Sequence, residues 1–307
     1  MKIRNKLIPI FFLSIIILSV ILLAGCTKID DINYSTFVHD GLTRQYLLYL
    51  PDDLPNNAPL VFVLHGYTMN ALQMMEYVDM NQIADEHRFA ICYPQGSVDF
   101  DGTTHWNAGL NISTTDDVSF ITSLASFLQS EYDLSEEQTF TCGFSNGGFM
   151  SYTLACEAPD VFAAIASVSG LMSGYTWDNR EISDPIPILH IHGVDDKVVP
   201  LDGSMSEEGG WGGAPPLDTI IDYWVNLNNC TTTETEFLPP NTNAYYYLDG
   251  FNGNQVWYYK IDNYGHEWPG GRSKKLGSNP DVGINASEVI WEFFSEYVKW
   301  PYETGFT

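Results

Sequence analysis

Basic residues are scarce in this chain: 13 Lys and Arg stand against 39 Asp and Glu in 307 residues, a formal net charge of −26. So acidic a protein repels phosphate backbones and anionic polymers, which excludes nucleic acid as a partner and favours a neutral substrate. Cysteine is sparse too, with five residues at spacings that match no zinc site. His190-x-His192 puts two imidazoles on one strand face, but two ligands do not make a metal site, so neither a metal nor any other cofactor is expected. Internal repeats are absent, which leaves no sign of a repeat architecture.

Long apolar runs are also missing, with one exception. Residues 7–23 are almost uninterrupted, follow Lys2, Arg4 and Lys6, and end in Leu23-Ala24-Gly25-Cys26. A charged start, an apolar stretch and small residues before a cut site describe a secretory signal over residues 1–25. A cysteine directly after Leu-Ala-Gly resembles the bacterial lipobox, which implies lipidation of Cys26. The implied product is an exported lipoprotein, held at the outer membrane or cell surface by a tether over residues 26–33. An uncleaved membrane anchor is the competing reading. Both place the domain at 34–307 outside the cytoplasm. Loss of the three basic residues takes the balance to 10 against 39, or −29. Cys92 and Cys142 fall in apolar runs and are expected as buried thiols. Cys156 and Cys230 could pair in an oxidising compartment.

The length suits one large domain with a full core. Asp40-Gly41 between two alternating segments predicts an opening hairpin. Short apolar strands follow at 60–64, 89–93, 139–143, 163–169 and 187–192. Helices are predicted at 71–87, after Asp116-Asp117, at 146–158, 217–228 and 286–298, with a Tyr-rich hairpin at 244–262 and a surface loop at 202–215. Short strands alternating with helices predict an α/β fold: a mostly parallel sheet covered on both faces, with the hairpin antiparallel at one edge.

Gly143-Phe144-Ser145-Asn146-Gly147 sits where a predicted strand gives way to a predicted helix. A serine hydroxyl becomes a useful nucleophile only when a base takes its proton and a sharp turn presents it. The α/β-hydrolase order of serine, acid, histidine then acts as a filter. Of seven histidines, His190, His192 and His266 follow Ser145, and the first two precede the best acid candidates. His266 remains, in a polar Gly/Pro loop suited to a catalytic base. The acid lies in the turn after strand 187–192, where the local pattern leaves Asp195 and Asp196 open. The Asn146 and Tyr67 amides are candidates for an oxyanion hole. Tyr67, Trp106 and Trp268 are candidates for lining a substrate groove.

The chain resembles the secreted esterases that include polyhydroxybutyrate depolymerase-like proteins and the feruloyl and acetylxylan esterases of carbohydrate esterase family one. The resemblance rests on His65-Gly66, Tyr93-Pro94-Gln95-Gly96, Trp106-Asn107, Asp116-Asp117-Val118 and Gly143-Phe144-Ser145-Asn146-Gly147-Gly148. It continues through Phe162-Ala163-Ala164, His192-Gly193, Val199-Pro200 and Gly265-His266-Glu267-Trp268-Pro269-Gly270. It implies the α/β-hydrolase fold and Asp196 as the acid. The implied enzyme is a cofactor-free, monomeric serine esterase acting through an acyl-enzyme on feruloyl or acetyl polysaccharide esters or a short-chain polyester. His105 replaces a cysteine common in relatives, and the Gly-rich stretch around Trp211 is a local elaboration. A prolyl-oligopeptidase-like peptidase and a binding protein without chemistry are the alternatives; the first lacks the length for a gating propeller, and the filled triad positions oppose the second.

Overall fold

The computed structural model describes residues 33–299 except 183 and 273–279, and the compact unit starts at Tyr34. The proposed signal sequence, Cys26 and the tether up to residue 32 lie outside the described residues. No helix among the described residues is long and apolar enough to cross a membrane.

The chain opens with β1 (Ser35–His39) and β2 (Leu42–Tyr49), an antiparallel hairpin across Asp40-Gly41. Both turn residues take a positive φ, of 47° and 76°, as a tight hairpin turn requires. Next come β3 (Ala58–Leu64), α1 (Ala71–Val78), α2 (Met80–His87) and β4 (Ala90–Pro94). A small pair, β5 (Ser97–Val98) and β6 (Thr104–His105), precedes α3 (Asp117–Tyr132) and β7 (Leu134–Phe144). Then follow α4 (Asn146–Glu157), β8 (Ala164–Val168), α5 (Gly174–Asp178), β9 (Ile188–Gly193) and α6 (Leu217–Leu227). The chain closes with β10 (Thr232–Leu238), β11 (Thr242–Leu248), β12 (Val256–Ile261) and α7 (Ala286–Ser295).

Ten strands form one sheet in the order β1-β2-β4-β3-β7-β8-β9-β12-β11-β10. The run from β4 to β12 is parallel, and antiparallel strands extend it at both ends. Side chains of a strand alternate between faces, and β3 shows the result. Leu60, Phe62 and Leu64 pack with Phe120, Leu124 and Phe149 of α3 and α4. Val61 and Val63 pack on the opposite face with Met74, Val78 and Ile290 of α1 and α7. Burial on both faces explains why these strands read as continuous apolar runs.

Three expectations change. The helix expected over 71–87 is broken at Asp79, which takes φ +54° and closes α1 while opening α2. Its carboxylate pairs with Arg272. The Tyr-rich hairpin is two strands of a three-stranded meander, because β10 joins β11 along its whole length. β10 carries Glu234 and Glu236 on an exposed edge and buries little, so it lacks a strand's apolar signature. Cys156 and Cys230 are free thiols, as are the buried Cys92 and Cys142. Each of the pair packs against the core separately, and the Cys230 thiol donates to the Asn254 carbonyl at 3.9 Å.

Asp116 caps α3 by accepting the Ser119 N–H at 2.9 Å, whereas Asp117 turns inward. Its Oδ1 meets buried Arg44 at 2.7 Å and its Oδ2 accepts the Asn107 N–H at 2.8 Å. The pair anchors the loop that leads through Trp106 to the C-terminal edge of the sheet.

Candidate active site

Parallel strands deliver the loops that follow them to one edge of a sheet. The turn after β7 holds Ser145, the loop after β9 holds Asp196, and the loop after β12 holds His266. β9 and β12 are neighbours, and their loops are tied by Val194 N–H to the Ile261 carbonyl at 2.8 Å and Asp195 N–H to the Tyr264 carbonyl at 2.9 Å.

Ser145 has φ +53° and ψ −118°, a conformation that L-residues avoid. Three backbone bonds hold it there: its N–H donates to the Val168 carbonyl at 2.8 Å, and its carbonyl accepts from Gly148 at 2.8 Å and Phe149 at 3.0 Å. Two glycines make the turn sterically feasible. A Cβ at Gly143 would lie 2.2 Å from the Gly147 carbonyl oxygen, and one at Gly147 2.2 Å from that of Leu64.

The two carboxylates of the turn after β9 differ in burial. Asp195 is exposed, while Asp196 is 2% exposed and accepts three hydrogen bonds, with His192 close by. Its Oδ1 accepts the N–H groups of Val198 and Val199, each at 2.8 Å. Its Oδ2 accepts His266 Nδ1–H at 2.6 Å and lies 3.2 Å from His192 Nε2, whose nearer partner is the Val199 carbonyl at 2.9 Å. Burial alone would raise this carboxyl, but donation from His192, His266 and Val199 outweighs it and holds the group well below the usual carboxylate range. The bond to Asp196 fixes the His266 proton on Nδ1 and turns the Nε2 lone pair outward. The His266 ring also stacks, tilted, at 5.0 Å on Phe144, the residue before Ser145.

Ser145 and His266 line the same cavity, of about 1010 Å³. No hydrogen bond joins their side chains among the described contacts; bonds of this kind commonly tighten only in the substrate complex. A hydroxyl and an oriented imidazole lining one cavity, with a buried carboxylate behind the imidazole, can carry out nucleophilic acyl transfer.

The Tyr67 and Asn146 amides donate to no acceptor among the described hydrogen bonds. Asn146 is the first residue of α4, whose leading N–H groups have no intrahelical acceptor. Tyr67 is oriented through His65. That ring accepts the Gly96 N–H on Nε2 at 3.0 Å, so its proton is on Nδ1 and donates to the Gly66 carbonyl at 2.8 Å. A trans peptide points its N–H opposite its carbonyl, so fixing the Gly66 oxygen fixes the direction of the Tyr67 N–H. Burial pushes His65 from 6.5 down to about 4, against the pull of the Gly66 bond, so the ring is neutral at physiological pH.

The family described as "Esterase PHB depolymerase" matches residues 44–203, just over half of the chain. The chain belongs to that family. "Probable feruloyl esterase C" of Aspergillus niger is 29% identical over 273 residues, covering 88% of this chain and 90% of that protein. Feruloyl esterase C of Emericella nidulans is 32% identical over 213 residues, covering 68% of this esterase and 70% of its relative. Among solved structures, the acetyl xylan esterase from Aspergillus awamori aligns with TM-score 0.60 at 15% identity, over 87% of this chain and 100% of that one. The fold of this esterase is the α/β-hydrolase fold, and the enzyme is a carboxylic ester hydrolase.

Two aromatic residues expected in the groove of this esterase do not line it. Trp106 and Trp268 are fully buried. An indole N–H taken out of water needs an acceptor, and each has one: Trp106 Nε1 donates to the His65 carbonyl and Trp268 Nε1 to Ser287 Oγ, both at 3.0 Å. Asn146 also clasps the Trp106 backbone, accepting its N–H at 2.7 Å and donating to its carbonyl at 3.0 Å. Both tryptophans therefore brace the loops of the site. The aromatic lining of the cavity includes Tyr67 and Trp211, edge to face at 4.9 Å, with Tyr77, Phe144 and Phe149. Tyr67 is steadied by its hydroxyl, which donates to Asp99 Oδ2 at 2.6 Å. Trp211 and Met205 come from the loop expected at 202–215, and only the unusual Gly-rich setting of Trp211 pointed to it. The described residues hold no group of three or more His, Cys, Asp or Glu side chains placed to bind a metal.

Proposed function

We propose that this esterase hydrolyses feruloyl or acetyl esters of plant polysaccharide through a covalent acyl-enzyme. Ser145 Oγ attacks the ester carbonyl while His266 Nε2 takes its proton, and Asp196 stabilises the imidazolium that forms. The Tyr67 and Asn146 amides receive the charge that develops on the carbonyl oxygen, each worth about 3 kcal/mol in the transition state. His266 then protonates the leaving alcohol, and the same imidazole activates the water that releases the acid.

The observation that carries this reading is the 2.6 Å bond from His266 to a buried Asp196 held by two backbone amides, beside a cavity that Ser145 and His266 share. The aromatic wall of Tyr67 and Trp211 supports an aromatic acyl group. A fluorophosphonate should label wild type and leave Ser145→Ala unlabelled. Assay of the purified domain on methyl ferulate, acetylated xylan and polyhydroxybutyrate assigns the substrate: turnover of the polyester alone would move the reading to depolymerase chemistry, and inactivity on every ester would end it.

The same reading places the domain of residues 34–307 outside the cytoplasm, behind a cleaved signal over 1–25 and a lipidated Cys26. Its support is the Leu23-Ala24-Gly25-Cys26 sequence after a basic start. Palmitate labelling that persists in Cys26→Ser would remove it.

A further inference from the structure

Behind the candidate acid lies a line of buried polar side chains that the mechanism above does not use. Tyr152 Oη is 2.8 Å from His190 Nδ1, His190 Nε2 is 3.0 Å from His192 Nδ1, and His192 Nε2 is 2.9 Å from the Val199 carbonyl and 3.2 Å from Asp196 Oδ2. Tyr152, His190 and His192 are all at most 1% exposed, and the two imidazoles stack at 5.2 Å with their planes 3° apart.

The two ends of this line fix every proton in it. At one end, His192 Nε2 faces a carbonyl and a carboxylate, both pure acceptors, so it carries a hydrogen. At the other, the Tyr152 hydroxyl has His190 Nδ1 as its one partner among the described bonds. A buried hydroxyl proton needs an acceptor, so Tyr152 donates and His190 Nδ1 accepts. The hydrogen of His190 is then on Nε2 and donates to His192 Nδ1. The opposite order would require a charged His192 and strand the tyrosine proton in the core. Burial, with His192 alongside, pushes His190 well below the ordinary histidine value, in keeping with a neutral ring.

We infer that His192 is a positioning residue for the reaction, sharing its Nε2 hydrogen between the Val199 carbonyl and Asp196 Oδ2 within a proton order set by Tyr152 and His190. This rests on the assignment of Asp196 as the acid. The backbone amides of Val198 and Val199 hold Oδ1; among the described residues, His192 is the other side chain beside Oδ2, the oxygen that receives His266. With that donor present, the carboxylate plane is fixed by both oxygens before substrate arrives, and the direction of the bond to His266 is fixed with it.

The test compares two substitutions. His192→Phe fills the same space without a donor, and His192→Gln puts an amide N–H near the position of Nε2. Expected is a loss in kcat of roughly tenfold to hundredfold for His192→Phe, with KM within about twofold of wild type, and recovery of most of it in His192→Gln. A folded His192→Phe with wild-type kcat overturns the inference, as does an equal loss in both variants. Should His192→Phe not fold, nitrogen-proton correlation of the histidine rings in the wild-type protein decides. His190 and His192 are each expected to carry a single hydrogen on Nε2, and a hydrogen on His192 Nδ1 overturns the order. Asp196→Asn separates the two levels: full activity there removes the acid assignment itself, whereas inactivity there beside an unimpaired His192→Phe removes only the role of His192.

Discussion

Asp196→Asn is the substitution whose effect follows most directly from the geometry. Four N–H groups face the carboxylate, two beside each oxygen: three are hydrogen-bonded to it and His192 Nε2 lies 3.2 Å away. An asparagine has one oxygen and one NH₂, so either orientation of the amide sets two donors against two donors. The less costly orientation leaves the oxygen on the Val198 and Val199 amides and points the NH₂ at His266 Nδ1. His266 must then accept on Nδ1 and carry its hydrogen on Nε2, where the lone pair that should take the Ser145 proton used to be. A wrong tautomer of this kind costs about 10⁴ in kcat, or about 5 kcal/mol of barrier. Steady-state hydrolysis of p-nitrophenyl acetate measures the loss, the rate of fluorophosphonate labelling reports Ser145 reactivity separately, and circular dichroism checks the fold. Asp195→Asn, at an exposed position, should stay within a factor of about two. A folded Asp196→Asn within tenfold of wild type would refute the reasoning, and an inactive Asp195→Asn would show that the other acid is used.

Other outcomes can be checked independently. Ser145→Ala and Ser145→Gly should both abolish turnover, but the glycine variant relieves the positive φ and should be more stable than the alanine variant by about 1 kcal/mol in denaturant titration. His65 has a folded pKa depressed from 6.5 to about 4, so the unfolded chain binds a proton that the folded one refuses between those values. Stability is therefore retained above pH 6.5 and falls as pH drops towards 4, by about 3 kcal/mol from this group, with buried His190 adding to the same trend. Melting curves across that range should show the fall, and His65→Gln should flatten it. Trp211→Ala removes the edge-to-face partner of Tyr67 in the cavity and should raise KM for methyl ferulate more than for p-nitrophenyl acetate, with kcat nearly unchanged. Equal effects on both esters would count against an aromatic acyl subsite there.

The parallel core of the fold was legible because β3, β4, β7, β8 and β9 are buried on both faces and so read as short apolar runs between helices. β10 was not, since an exposed edge strand of Thr and Glu buries little. The break at Asp79 escaped because apolar residues continue on both sides of it and a left-handed Asp leaves no compositional mark. Ser145 was legible through its glycines, which are demanded by contacts under 2.5 Å that any Cβ would make. The pattern could not separate Asp195 from Asp196, because only one turn of backbone decides which carboxylate enters the protein. Trp106 and Trp268 misled for a related reason: they lie beside the right motifs, but chain position does not give the direction of a side chain, and both indoles found acceptors in the interior. His190 and His192 were weighed as metal ligands, and their alignment with Tyr152 depends on two separate elements, β9 and α4, meeting.

The open edge at β10 has a consequence for how copies of this protein behave when crowded. A second molecule adding its own β10 in antiparallel register about Thr235 would set Glu234 of each copy opposite Glu236 of the other. Two like charges at such a spacing repel by about 1 kcal/mol in water, and the general acidity of the surface adds a longer-range term. Charge on this edge therefore opposes self-association. Light scattering at rising ionic strength should show attraction growing as the Debye length shrinks, and Glu234→Thr with Glu236→Thr should bring the onset to lower salt.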